Sequence, residues 1–365
     1  MLENSLQILD KLSEHGFKAY ITGGFVRDYL LGINSNDIDI ATNATPKEIK
    51  EIFVDACLPV ENYGSVTIAH LGKHIEITTF RKESSYADHR RPVEIKYIDD
   101  LYADLERRDF TINAICMNKD KEILDFVKGK SDIKKRLIRS IGNADDKFNQ
   151  DALRILRAVR FSTTLDFEFT EEVKEAILKN KQYLKDISYT RKRQELDKIF
   201  SSSNSQKGIS LLLSLGLDKV LELKNLEFIK ETDSLLGIWA MLDVADIYPF
   251  TKNEKDLMQK INQVHDLDIF DPIVLYRYGL YVCTEVATMT KRSKKDLTEK
   301  YNHLSIKSRS DIDIETEDIL RILKKDAGAY LSGIYEQIEE AILYGKLMNN
   351  KNEILEYIKI NNEKE

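Results

Sequence analysis

GGFVRDYLLGINSNDIDIAT, residues 23–42, joins two signals that are each common alone and uncommon together. Gly23 and Gly24 close the short apolar run FKAYIT, which reads as a strand. A glycine pair there lets backbone N–H groups come close to an anion, and the start of the following helix, VRDYLLG, favours negative charge. Arg27 stands in that helix, within reach of the same anion. Asp37 and Asp39 follow, two residues apart on the strand predicted for NDIDIAT, so both carboxylates project from one face. A phosphate cradle followed by two same-face carboxylates suits divalent ions held between protein and a polyphosphate. The plain alternative is a turn and two surface aspartates.

Outward from this stretch, the chain divides by pattern. The first 120 or so residues alternate helix and strand. TPKEIKEIF is a helix with Thr45 as N-cap and Pro46 at its first position, and VTIAHL, HIEITTF and VEIKYI are β-rich runs. From about residue 130, ALRILRAVRF, EEVKEAILKN, QELDKIF and GISLLLSLGL carry apolar residues at helical spacing. SSSNSQKG (201–208) reads as a helix–helix loop. At 365 residues the chain is too long for one ordinary domain, and 42% hydrophobic residues supply real cores. There is no uninterrupted apolar run of the roughly 18 residues a membrane span needs. Neither does the N-terminus carry the apolar core of a secretory signal. Cys57, Cys116 and Cys283 lie far apart, in no metal-ligand spacing, as thiols of a reducing compartment do. The expected location is the cytoplasm. A net charge of −7 argues against a nucleic-acid partner, but only weakly, because phosphate binding depends on local patches. Arg107-Arg108, Arg154 to Arg160 and Arg191 to Arg193 are such patches.

GGFVRDYLLGINSNDIDIAT resembles the head signature of the class II tRNA nucleotidyltransferase and bacterial poly(A) polymerase family, a branch of the polymerase β superfamily. The match continues in order. ERRDFTINA (106–114) is similar to the family's second motif, ILDFVKGKSDIKKRLIRSIG (123–142) to the motif entering the neck, and DALRILRAVRF (151–161) to its nucleotide-selecting helix. The C-terminal portion resembles the tail of CCA-adding enzymes of the Bacillus type. The resemblance implies a multidomain fold: an α/β head of polymerase β-like nucleotidyltransferase type (1–135), then an all-α neck (136–200), body (201–270) and tail (271–365). It implies Mg2+ held by Asp37 and Asp39, with Glu76 of HIEITTF as a third catalytic carboxylate. Gly23, Gly24 and Arg27 would hold the triphosphate, and Arg108 and Asp109 would read ribose and nucleotide.

The helix motif also has a reading of its own. Asp151, Arg154, Arg157 and Arg160 recur every three residues as a polar stripe, with Leu153, Leu156 and Val159 on the counter-face. A carboxylate and a guanidinium one turn apart can match the Watson–Crick edge of a base. The competing reading is an intrahelical salt bridge. In the family, Asp151 and Arg154 are the pair that selects CTP and then ATP, and Arg157 and Arg160 extend the nucleotide contacts. Three positions depart from the family pattern: Gln150 and Thr190 replace glutamates, and Thr316 replaces a tail glycine.

The implied activity is addition of CCA to the 3′ end of tRNA from CTP and ATP, with the acceptor arm as macromolecular partner. The alternatives are a CC-adding enzyme, an A-adding enzyme or a poly(A) polymerase. RKESSYADHRRPVEI (81–95) is charged and lacks a hydrophobic period, and so reads as a loop between strands. It resembles the flexible head loop needed for the final A. The basic stretch 291–309 is a candidate tRNA contact in the tail.

Overall fold

The computed structural model describes residues 2–35, 37–54, 57–62, 64–70, 73–87 and 91–362. The chain forms two compact units, 1–223 and 224–365. Helix α1 (Leu2–Glu14) buries Leu6, Ile8, Leu9 and Leu12, the stripe its sequence spacing foretells. There follow β1 (Ala19–Thr22), α2 (Gly24–Leu31), β2 (Asp39–Thr42) and α3 (Pro46–Ile52). The last starts as the sequence predicts: Thr45 and Glu48 form a reciprocal capping box with Pro46 at the first position. Next come β3 (Cys57–Asn62), β4 (Ser65–His70), β5 (Lys73–Thr79), β6 (Arg81–Ala87), β7 (Arg91–Tyr97), α4 (Leu101–Glu106), β8 (Cys116–Met117) and β9 (Ile123–Leu124).

Among the described residues, seven strands build one mixed sheet in the order β3-β4-β5-β2-β1-β8-β9. The parallel β2–β5 pair sets Asp39 opposite Glu76. Alternation does the rest: Ile75 and Ile77 are buried, whereas His74 and Glu76 are exposed. Strands β6 and β7 form a separate antiparallel hairpin with Arg81 opposite Tyr97. This corrects the loop reading of 81–95: the backbone is paired strand from Arg81 to Ala87 and again from Arg91. Residues 88–90, between the two strands, lie outside the described residues.

The helical part of this unit is α5 (Gly129–Lys135), α6 (Ala144–Gln150), α7 (Leu153–Leu165), α8 (Glu171–Asn180), α9 (Tyr189–Phe200), α10 (Ser205–Ser214) and α11 (Leu217–Val220). Short strands β10 (Leu137–Ile138) and β11 (Glu168–Phe169) pair in parallel between them. Leu153, Leu156 and Val159 are buried in the core that α7 shares with α9 and α10.

The second unit contains α12 (Leu235–Met241), α13 (Lys252–Val264), α14 (Pro272–Met289), α15 (Lys294–Asn302), α16 (Thr316–Leu323), α17 (Tyr330–Leu343) and α18 (Lys351–Asn362). Helix α14 is interrupted at Gly279, whose φ of 79° and ψ of 164° no side-chain-bearing residue adopts cheaply. Among the described residues no helix is long and apolar enough to cross a membrane. Cys116 and Cys283 are buried free thiols, and the side chain of Cys57 lies outside the description.

Candidate active site

Every predicted site residue except Glu76 lines one cleft of about 1060 Å3 in the first unit. Its near wall begins at Gly23, which precedes α2 with φ 78° and ψ −141°, a conformation that only glycine adopts readily. A Cβ there would stand 3.4 Å from Asp39 Oδ2 and 3.6 Å from Arg108 Nη1, so glycine also leaves room for the groups that face it. Asp39 opens β2, and Asp37 lies just before the strand rather than on it, which corrects the reading of both as strand residues.

Burial pushes the carboxyl of Asp39 up to about 6, with the negative charges of Asp37 and Glu76 adding to the effect and Arg108 opposing it. Glu76 acts on Asp39 across the β2–β5 pair but stays outside the cleft lining. Among the described residues no three acidic, imidazole or thiolate groups come together as a complete metal site. Two neighbouring carboxylates open to a cleft nevertheless fit Mg2+, which is usually bound by one or two carboxylates plus substrate phosphates and water.

Opposite stands a relay of hydrogen bonds that joins three motifs. Arg27 on α2 donates from Nη1 to Asn113 Oδ1 at 2.6 Å and from Nε to Asp28 at 2.8 Å. Asn113 Nδ2 donates to Asp109 Oδ1 at 3.2 Å, and Arg157 Nε on α7 donates to Asp109 Oδ2 at 2.6 Å. Burial alone would raise the Asp109 carboxyl. The charge and hydrogen bond of Arg157, the charge of Arg154 and the Asn113 amide outweigh it and hold the group at about 2. Arg160 pairs instead with Glu195 of α9 at 2.6 Å. The Phe161 ring lies under three guanidiniums, those of Arg160 at 4.0 Å, Arg27 at 5.2 Å and Arg157 at 5.4 Å from its centroid.

Arg108 sits beside the aspartates and reaches Asp104 Oδ2 at 3.4 Å. Its Nε–H is buried without a hydrogen-bond partner. Such an orphan costs about 1–3 kcal/mol when left dry, and here it offers a donor beside the aspartates. Asp104 is 1% exposed; it also accepts from Arg107 Nε at 2.8 Å and from the backbone N–H of Arg81 at 3.1 Å. Glu83 joins Arg81 and Arg107. The root of the β6–β7 hairpin is therefore tied to the helix that carries Arg107 and Arg108 at its end.

Asp151 departs from the sequence reading. Helix α6 ends at Gln150 and α7 begins at Leu153, so Asp151 occupies an extended link (φ −142°, ψ 98°) and not the helix of Arg154. Its Oδ1 accepts the Leu153 N–H at 3.1 Å; burial raises its carboxyl, against the lowering pull of Arg154. Arg154 makes no ion pair with it among the described residues. It donates to two backbone carbonyls, Lys147 at 3.3 Å and Arg107 at 3.0 Å, which uses two of its five N–H groups.

The far wall is the exposed face of α9, with Arg191, Gln194 and Lys198 at i, i+3 and i+7. Nine lining side chains are Arg or Lys and six are Asp or Glu, a local positive excess in a chain of net charge −7. Sequence reasoning missed Asn113, Phe161, Asp104 and Glu195. Asn113 and Phe161 sit inside the quoted motifs, at the ends of ERRDFTINA and DALRILRAVRF, and position there was the only available signal.

Three family models match: the poly A polymerase head domain over residues 19–139, the RNA- and SrmB-binding site of polymerase A over 166–226, and tRNA nucleotidyltransferase domain 2 over 266–358. The CCA-adding enzyme of Staphylococcus haemolyticus is 34% identical, over 97% of this chain and 96% of its own. That of Bacillus subtilis is also 34% identical, over 97% of each. The crystal structure of the Bacillus stearothermophilus CCA-adding enzyme in complex with CTP is similar at a TM-score of 0.88 and 27% identity, covering 99% of this chain and 98% of that one.

Proposed function

The chain belongs to the family of CCA-adding enzymes, and we propose on that premise that it adds C, C and A in turn to the 3′ end of tRNA from CTP and ATP, without a nucleic-acid template. The observation that carries this is convergence: the glycine–arginine turn, the two aspartates, Arg108-Asp109 and the Asp151–Arg160 stretch all line one cleft.

The tRNA 3′-hydroxyl attacks the α-phosphorus of the bound nucleotide. The bond to the bridging oxygen breaks, pyrophosphate leaves, and the hydroxyl proton passes to water. Asp37 and Asp39 would hold Mg2+, with Glu76 adding negative charge from the neighbouring strand. When bound, Mg2+ supplies positive charge for the phosphates and acidifies the attacking hydroxyl. The backbone at Gly23 and Gly24, together with Arg27, receives the triphosphate at the start of α2. The Asn113 relay fixes Arg27 against Asp109 and Arg157, so these donors are positioned before substrate arrives. Arg108 donates its unpartnered Nε–H to a ribose or phosphate oxygen. Asp151 and Arg154 present acceptor and donors to the base edge, and Arg157 and Arg160 flank them.

The acceptor arm meets the α9 wall by phosphate contacts to Arg191 and Lys198, with little sequence reading. The basic stretch 291–309, which includes α15, is a second phosphate contact. The enzyme acts in the cytoplasm, in keeping with its free buried thiols. The test is pyrophosphate release, measured with and without tRNA, and with Mg2+ or a chelator. Release that needs both tRNA and the divalent ion supports the reading; release from CTP or ATP without tRNA contradicts it.

A further inference from the structure

Asp151 and Arg154 come from different elements, so their mutual placement needs an explanation. An extended link between two helices has no hydrogen-bond ladder of its own. Within the link, the Arg154 backbone N–H donates to Asp151 O and the Leu153 N–H to Asp151 Oδ1, each at 3.1 Å; from α6, Lys147 O accepts the Asp151 N–H at 3.1 Å and Arg154 Nη1 at 3.3 Å. The second anchor of Arg154 is Arg107 O at 3.0 Å, just past the end of α4. The side chain of Lys147 joins the two anchors. Its Nζ donates to Glu106 O at 2.5 Å, one peptide before Arg107 O. Carbonyl, guanidinium, α4 backbone and ammonium thus close a ring around Arg154.

We propose that Lys147 is a positioning residue for base selection, fixing Asp151 and Arg154 against the end of α4. This rests on the reading of those two residues as the base-selecting pair. Lys147 is not part of the cleft lining, so its effect on nucleotide choice passes through Arg154. An ammonium at the carbonyl end of a helix is electrostatically well placed. The charges around it are Arg154, Asp109, Glu106 and Glu83, and burial, followed by Arg154, lowers its pKa to about 8. Helix α4 also carries Asp104, which holds Arg107 and Arg108. The ring therefore connects the base-reading pair to the residues beside the catalytic aspartates.

The test compares Lys147→Met, Lys147→Arg and Arg154→Ala with wild type. Single-nucleotide addition is measured for all four nucleotides, and kcat and KM are separated. The expected result for Lys147→Met is about a ten-fold loss of discrimination, read as kcat/KM for CTP over UTP, the size of one lost positioning hydrogen bond. Lys147→Arg, whose guanidinium also reaches the carbonyl, restores discrimination. Lys147→Gln serves if the Met variant does not fold; its shorter neutral amide should discriminate less well than wild type. A rate that falls equally for all four nucleotides, or discrimination unchanged in Met and Gln while Arg154→Ala loses it, overturns the role of Lys147. Unchanged discrimination in Arg154→Ala overturns the base-reading assignment itself.

Discussion

Replacing Asp109 by Asn tests the electrostatic design of the cleft wall. Asp109 is 7% exposed and takes three hydrogen bonds, one each from Arg157, Asn113 and the Phe110 backbone, and Arg157 Nη2 adds an ion-pair contact at 2.6 Å. Its carboxyl is held at about 2 against a reference of 3.8. At about 1.4 kcal/mol per pKa unit, that difference contributes roughly 2–3 kcal/mol at neutral pH. Removing one partner of a fully buried pair costs about 3–5 kcal/mol, but the Arg157 side chain is 35% exposed and water can partly solvate it. We therefore expect a loss of about 2–3 kcal/mol at pH 7 for Asp109→Asn. The sign with pH follows from the lowered folded pKa. The contribution is fully present above 3.8 and is lost as pH falls towards 2. Roughly half of it should remain at pH 3. Urea unfolding followed by far-UV ellipticity at pH 7, 4 and 3 measures this. A difference under about 0.5 kcal/mol at pH 7, or one that grows on acidification, refutes the reasoning.

Other expectations follow from the same geometry. Asp37→Ala and Asp39→Ala each abolish nucleotide addition while the fold and tRNA binding persist, as shown by primer extension beside gel-shift titration; a tenth of wild-type turnover in either speaks against their role. Shortening the β6–β7 hairpin to a tight turn leaves addition of both C residues and removes addition of A, scored by product length on tRNA. Failure at the first C would make the hairpin a structural support, since Arg81 and Glu83 at its root hold Arg107. Gly208→Ala places a methyl group 2.4 Å from Ile199 Cγ2 and 2.8 Å from Thr163 Oγ1, so thermal unfolding should show a loss of about 1–3 kcal/mol from overpacking.

The parts legible in sequence are those where chemistry restricts residue type locally. Gly23 has a positive φ, Thr45 caps a helix with Glu48, and the Leu153, Leu156 and Val159 stripe is buried; each follows from neighbours a few residues away. The break at Asp151 was hidden because QDALRILR keeps helical spacing straight through it, and periodicity does not register one extended residue. Strand β6 was hidden for another reason, although its partner VEIKYI reads as β-rich. Strand signals depend on one apolar face, and RKESSYA has none. The pairs Arg27–Asn113, Asp109–Arg157 and Arg160–Glu195 lie 86, 48 and 35 residues apart. Only the fold brings them together. Phe161 reads in sequence as one more core aromatic, and its place under three arginines emerges when α2 arrives beside α7.

The central claim is that one active site adds C, C and A in order. The direct measurement is extension of a tRNA lacking all three terminal nucleotides, offered CTP alone, ATP alone or both, with products resolved to single-nucleotide length. The account predicts two added nucleotides with CTP alone, none with ATP alone, and three with both. A long A ladder with ATP alone, or arrest after two additions when both are present, would contradict it.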